Sequence, residues 1–260
     1  MKRDIFWIVV TLIFFGYAGY ILLPPITIYL LSFSERMNIF SGVTLRWYIY
    51  WYRTLIRAIH DSMIVALPAT TFTMAVGVPT AYVLGRNDFR GKSFVSQLTL
   101  LPMILPTVSL GFAFLQLFNT PPFLIRAYPA IVIAHTVVCL PYVVRPLIPA
   151  FEDTRNITFE EAAQSLGASG TRAFRDVSLP LLLPSFLTAT TFAFARSIGD
   201  LVQTLFLTDG TILTLPLAVF EAYASGSPQL GSAAAVVANF FTLFFILGVE
   251  QVIMKRIRSY

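Results

Sequence analysis

Apolar residues in this chain fall in long blocks separated by short polar segments, and within the blocks they do not alternate with polar ones. Six blocks, residues 5–31, 61–84, 94–118, 128–149, 181–207 and 231–254, reach the ~20 predominantly apolar residues a helix needs to cross a hydrocarbon core. Strands of a membrane barrel would show a period of two, so helices are the spanning form these blocks predict. The first block follows Met1-Lys2-Arg3-Asp4 in the manner of a signal peptide. It runs well past the ~7–15 residues of a signal h-region, however, and reads as a retained first helix. Prolines inside the blocks (Pro24, Pro25, Pro68, Pro79, Pro102, Pro106 and Pro141) read mostly as packing kinks. No internal repeat or low-complexity linker divides the sequence. Residues 1–260 therefore read as one transmembrane domain, an all-α polytopic membrane protein of about six spans.

Composition sharpens this picture. Of the 260 residues, 57% are hydrophobic and 12% charged, where a soluble domain carries about 25% charged residues. So little polar surface cannot cover a water-facing globule, which excludes a soluble enzyme and places the chain in a cell membrane as a multi-pass protein. The net charge of +5 would suit nucleic acid only if the basic residues shared one face. They lie instead between the apolar blocks, so no nucleic-acid partner is expected.

With the N-terminus inside, the cytoplasmic segments hold Lys2, Arg3, Arg86, Arg90, Lys92, Arg155, Arg172, Arg175, Lys255, Arg256 and Arg258, while Arg36, Arg46, Arg53, Arg57 and Arg126 fall outside. That bias predicts N-in and C-in. The outer stretch Leu45 to Ile59 mixes Trp47, Tyr48, Tyr50, Trp51 and Tyr52 with three arginines and reads as a helix lying in the interface. Cys139 is alone, so no internal disulfide can form.

The longest cytoplasmic segment, about 150–180, carries the most information. Thr158-Phe159-Glu160-Glu161 fits a capping box, with Thr158 at the N-cap and Glu161 three residues on. The short helix that follows can end at Gly167. A second short helix is expected over about Thr171 to Val177, and Leu179-Pro180 would open the fifth span. Small residues, a carboxylate and a glycine turn presented at the inner face read as a docking knob for a cytoplasmic partner.

Here the residues match a known pattern. Glu161-Ala162-Ala163, three residues, Gly167, nine residues, Val177, one residue and Leu179-Pro180 resembles the EAA signature of permease subunits of binding-protein-dependent ABC importers, with valine in place of the usual isoleucine. The six-block layout extends the resemblance over nearly the whole chain and implies a MetI-like permease fold. It further implies that Glu161, Ala162, Ala163 and Gly167 form a coupling helix seated on a separate ABC ATPase subunit. Ala195-Arg196-Ser197-Ile198-Gly199-Asp200 looks like a stretch found in the polyamine, ferric iron, thiamine, molybdate and sulfate branch. Thr44-Leu45-Arg46-Trp47-Tyr48 is similar to its polyamine-type members. By the same resemblance the partners are ATPase subunits, an extracytoplasmic substrate-binding protein, a second permease chain (identical or related) and the bilayer. The chain itself would be no enzyme and carry no cofactor, ATP being bound by the partner. A polyamine is the first expectation for cargo, with ferric iron, thiamine or an oxyanion behind it.

Arg196 and Asp200, spaced i, i+4, share a helix face and can pair. Charges at membrane depth face a bundle interior or a water-filled cavity. The pair thus either lines the translocation pathway or fixes helix packing, and both readings put it inside. A proton-coupled secondary transporter using Arg196 and Asp200 is the main alternative function, but it leaves the coupling signature unexplained. A haem-bearing structural subunit would need paired histidines, which the scattered His60 and His135 do not supply; His135 reads as a hydrogen-bonded bundle residue. Asn156-Ile157-Thr158 is a sequon on the cytoplasmic side and is expected to stay unused. Gly85 to Ser93 resembles a phosphate loop but has five residues between its glycines where the motif has four, and it joins two membrane helices. It reads as a basic loop, which agrees with an ATPase supplied by a partner.

Overall fold

The computed structural model describes residues 2–36 and 42–258, and the side chains of these except 2–5, 154–156 and 252–258. The side chains of Lys2, Arg3, Arg155, Lys255, Arg256 and Arg258, which enter the orientation expectation, lie outside that set, as does the side chain of the sequon residue Asn156. Among the described residues the elements are helical, apart from an isolated bridge between Ser34 and Val43. Five helices are long and apolar enough to cross a membrane: Phe6–Ser32, Arg46–Arg86, Ala127–Glu152, Gly170–Ile198 and Pro228–Gln251.

The chain divides into two compact units. The first comprises residues 1–56 and 218–240. It holds α1 (Lys2–Ser32), the start of α2 (Arg46–Arg86), and parts of the helices Leu215–Ala224 and Pro228–Arg258. Most of α1 is exposed, as expected of a helix whose neighbours are lipid. The turn after α1 is tied to α2 by the Trp47 indole donating to the Ser34 carbonyl (2.8 Å) and the Tyr48 hydroxyl donating to Ser32 Oγ (2.8 Å). The aromatic stretch from Leu45 is therefore not a separate interfacial helix. With no glycine or proline between Arg46 and Leu67, nothing interrupts the backbone, and it forms the opening turns of a 41-residue helix. At 1.5 Å per residue that helix is roughly 60 Å long, about twice the hydrocarbon thickness.

The second unit, residues 57–217 and 241–260, contains the core. α6 (Ala127–Glu152) and α9 (Leu179–Ile198) pack along their length with the C-terminal half of α2. Leu84, Val143, Val144, Leu147, Phe151 and Leu182 form the buried centre. Burial in lipid supplies no hydrophobic drive between helices, so close approach at small residues does the packing. At Gly85 a Cβ would stand 2.7 Å from the Phe151 Cβ and 3.0 Å from the Ile148 carbonyl oxygen. A second cluster, built from Val65, Ala69, Phe118, Ile131, Leu207 and Ile212, fills the other end.

Two of the predicted blocks are not single helices. Block 94–118 is divided into α3 (Lys92–Leu98), α4 (Leu101–Ile104) and α5 (Thr107–Asn119). Pro106 has no N–H and holds the preceding Leu105 extended (ψ 142°), which ends α4 and starts α5. Block 181–207 breaks after Ile198 and resumes as α10 (Val202–Leu207), with Gly199 and Asp200 at the break.

The packing at Gly85 yields a prediction. Gly85→Val should overpack the α2–α6 contact at a cost of about 1–3 kcal/mol and lower the unfolding temperature of the solubilised chain by several degrees. Gly16→Val, at a site in α1 with nothing within 4 Å, should leave it unchanged. Equal unfolding temperatures for the two variants, followed by tryptophan fluorescence, would contradict this packing.

Candidate coupling loop and intramembrane polar site

α7 begins five residues earlier than a capping box with Thr158 at the N-cap requires. Asp153 alone separates α6 from α7 (Thr154–Ser165), and no glycine or proline delays the new helix. Thr158 therefore lies in the second turn and is not the N-cap. The other end of α7 follows the sequence. Gly167 takes φ +96°, its N–H donates to the Gln164 carbonyl (2.9 Å), and the Ala168 N–H reaches the Ala163 carbonyl (3.1 Å). This double closure satisfies the last carbonyls of the helix and requires a left-handed residue.

The second expected helix is fused to the fifth span. α8 (Gly170–Ala173), capped by the Ser169 hydroxyl, runs into a π-helical segment, Phe174–Ser178, and then into α9 without a break. Pro180 has no N–H to return to Asp176, and the wider hydrogen-bonded turn ends just before it.

The two neighbouring glutamates of α7 face opposite ways. Glu161 is exposed and makes no side-chain hydrogen bond or ion pair with a described residue. Ala162 is exposed beside it, and Leu166 is 90% exposed. Ala163, Leu166, Gly167, Ala168 and Arg172 border an open hollow of about 380 Å³. Glu160 points inward, where its Oε2 accepts from Arg86 Nη2 (2.9 Å) and from Ser178 Oγ (2.7 Å). Sequence reading missed Glu160, because two adjacent acids on a polar helix look alike until the helix is docked.

Arg196 and Asp200 do pair, through Arg196 Nη1 and Asp200 Oδ2. Asp200 is buried at 4% exposure, and its Oδ1 accepts the backbone N–H of Gln203 (2.8 Å), which starts α10. His135 on α6 lies beside it. Its Nδ1 is 3.0 Å from Ser197 Oγ, and its Nε2 is 3.2 Å from Thr204 Oγ1 and 3.8 Å from Asp200 Oδ1. His135 is thus a hydrogen-bonded bundle residue. Gln203 Nε2 donates to the Thr107 carbonyl at the start of α5 (3.4 Å). This buried network joins α5, α6, α9 and α10 where the fifth block breaks, and non-helical backbone at membrane depth is tolerated only where protein or a water-filled cavity surrounds it.

A third polar knot gathers at Asp61. Asp61, 3% exposed, accepts from the Tyr128 hydroxyl (2.9 Å) and the Leu213 N–H (2.9 Å), with His60 Nδ1 at 3.1 Å. Arg57 approaches it and also donates to the Thr211 carbonyl. The i, i+4 spacing of Arg57 and Asp61, the same as that of Arg196 and Asp200, was the available signal. In the adjoining loop, Asp209 accepts from the Thr211 hydroxyl (2.6 Å) and N–H (2.9 Å), and these bonds hold its carboxyl below the usual range. Among the described residues no group of three or more His, Cys, Asp or Glu is placed to hold a metal.

Comparison with known proteins gives one answer. A family model described as a binding-protein-dependent transport system inner membrane component matches residues 77–259, which include α7 and the polar network around Asp200. The spermidine/putrescine transport system permease protein PotC of Escherichia coli K12 is 29% identical over 244 residues, covering 92% of this chain and 89% of PotC. The molybdenum transport system permease protein ModB of Haemophilus influenzae is 32% identical over 181 residues, covering 64% of this chain and 79% of ModB. A bacterial ABC transporter involved in the import of the acidic polysaccharide alginate shares the fold, with a TM-score of 0.70 and 18% identity over 96% of this chain and 97% of that one. Spanning helices, an exposed loop in the matched region and these relatives converge: the chain belongs to the family of binding-protein-dependent transport system inner membrane components and is a permease subunit of an ABC importer, not an enzyme.

Proposed function

We propose that Glu161, Ala162, Ala163 and Gly167 form the surface that docks an ABC ATPase subunit on the cytoplasmic side, with both chain ends on that side. The observation that carries this reading is the outward face of α7, where a carboxylate, small residues and an exposed leucine stand free around an open hollow. A protein surface built this way leaves its charge unpaired and lets another backbone approach closely. Two permease chains would frame the pathway as a single transmembrane domain each, ATP would be bound by the docked subunits, and an extracytoplasmic binding protein would deliver the cargo. The proton-coupled alternative gives way to the family assignment.

The cargo we propose is a polyamine. The support is the match to PotC along 92% of the chain; the match to ModB covers 64% and favours molybdate as the second reading. Arg196 and Asp200 would border the pathway. As a paired cation and anion they select neither sign of cargo, so selection would fall to the binding protein. Uptake of labelled spermidine and of labelled molybdate, by vesicles carrying the assembled system, separates the two. Spermidine uptake that molybdate does not inhibit supports the first reading, and the converse supports the second.

Docking is tested by purifying the chain from native membranes in gentle detergent beside Gly167→Asp, whose left-handed position at φ +96° tolerates a side chain poorly. An ATPase subunit should accompany the wild type and be lost from the variant. Its absence from both would contradict the docking surface.

Asp200→Asn should leave Arg196 unpaired at membrane depth and destabilise the chain by about 3–5 kcal/mol. Adding Arg196→Gln should recover most of that stability. If the pair borders the pathway, uptake stays low in the double variant. Uptake that returns with stability would reduce the pair to a packing element.

A further inference from the structure

We infer that Glu160 is the positioning residue that carries motion of the coupling loop into the spans, an inference that rests on the docking of α7 proposed above. One carboxylate oxygen of Glu160 receives both the Arg86 guanidinium (2.9 Å) and the Ser178 hydroxyl (2.7 Å). Arg86 is the last residue of α2, and Ser178 closes the π-helical segment that opens α9. A single atom thus ties three elements: the docking helix, the inner end of the second long helix and the root of the helix that carries Arg196 at its far end.

The joint is built to hold. The Arg86 and Glu160 side chains are only 12% and 14% exposed, and Ser178 is fully buried. Charge-assisted bonds shielded from water in this way are roughly twice as strong as neutral ones. Around the joint the packing is looser. An open cavity of about 490 Å³, bordered by Val78, Tyr82, Phe151, Glu160, Thr171 and Phe174, lies beside it. Tyr82 meets Phe151 and Phe174 edge to face at 5.4 and 5.8 Å between ring centres. α7 therefore has room to tilt, while Glu160 determines what it drags. The π turn is where α9 gives way, because such turns are short insertions of wider hydrogen-bonded geometry in an otherwise regular helix. Glu161, one residue on, touches the partner, and Glu160 touches the protein's own spans.

The test uses the whole complex in proteoliposomes and reads the ratio of ATP hydrolysis with loaded binding protein to hydrolysis without it, beside the amount of ATPase bound. Glu160→Gln keeps an acceptor for Ser178 but removes the charge that holds Arg86. The ratio should fall at least about fivefold, the lower end of coupling between distant sites, with ATPase bound in wild-type amount. The exchanged pair Arg86→Glu with Glu160→Arg should recover most of the ratio. Should Glu160→Gln fail to accumulate, Ser178→Ala removes a single bond to the joint and should lower the ratio with ATPase still bound. An unchanged ratio, or a fall that only tracks lost ATPase, would overturn the inference. A wild-type complex that binds no ATPase would instead overturn the docking reading beneath it.

Discussion

Water does not reach the hydrocarbon core, so every charge and every freed backbone group carried into it must find its partner within the protein. The fifth apolar block obeys this at its break. Asp200 neutralises Arg196 one turn before it on α9 and accepts the N–H of Gln203 in the first turn of α10. Without that carboxylate, the α9–α10 break would expose an arginine and an unpaired N–H at a depth where a lone charge costs about 3 kcal/mol. His135 and Gln203 extend the network to α6 and α5. The break is thereby fixed in place, and the helices around it are held to one another by bonds as well as by packing.

The same rule shapes the membrane ends differently. In the loop after α6, charges are allowed to sort by face. Glu160 is spent on Arg86 and Ser178, while Glu161 remains free. Two adjacent residues of one helix thus differ, one bonded within the protein and the other left exposed. Asp61 does comparable work beside the loop 208–214, fastening it to Tyr128 through side-chain and backbone bonds. A permease whose spans stand in lipid needs such polar fastenings, because apolar burial alone distinguishes poorly between helix and lipid.

Much of this was legible in the residues. Six blocks were expected to span and five helices are long and apolar enough to do so, while the spacing from Glu161 to Pro180 pointed to the family. Gly167 was read as the end of α7 and ends it, because only a residue tolerant of positive φ closes a helix that way. The i, i+4 spacing of Arg196 and Asp200 gave their pairing. What stayed hidden depended on docked geometry. Nothing local distinguishes Glu160 from Glu161 before α7 meets Arg86. Asp61 stands at the edge of an apolar block, and nothing local marks it as buried. The division of block 94–118 was foreshadowed by Pro106, yet the prolines within α6 leave that helix unbroken. What separates the two cases is the packing of α6 against α9, which a sequence does not display.

The account stands or falls on the outward face of α7 meeting an ATPase. Cys139, the single cysteine, is buried, so Ala162→Cys would introduce an exposed thiol on that face. A short bifunctional thiol reagent applied to the working complex should join this position to the ATPase subunit, with no such product from Leu243→Cys on the exposed side of Pro228–Arg258. A crosslink confined to Ala162→Cys is the predicted result. An active complex in which Ala162→Cys is freely labelled by small thiol reagents and joins no ATPase would contradict it.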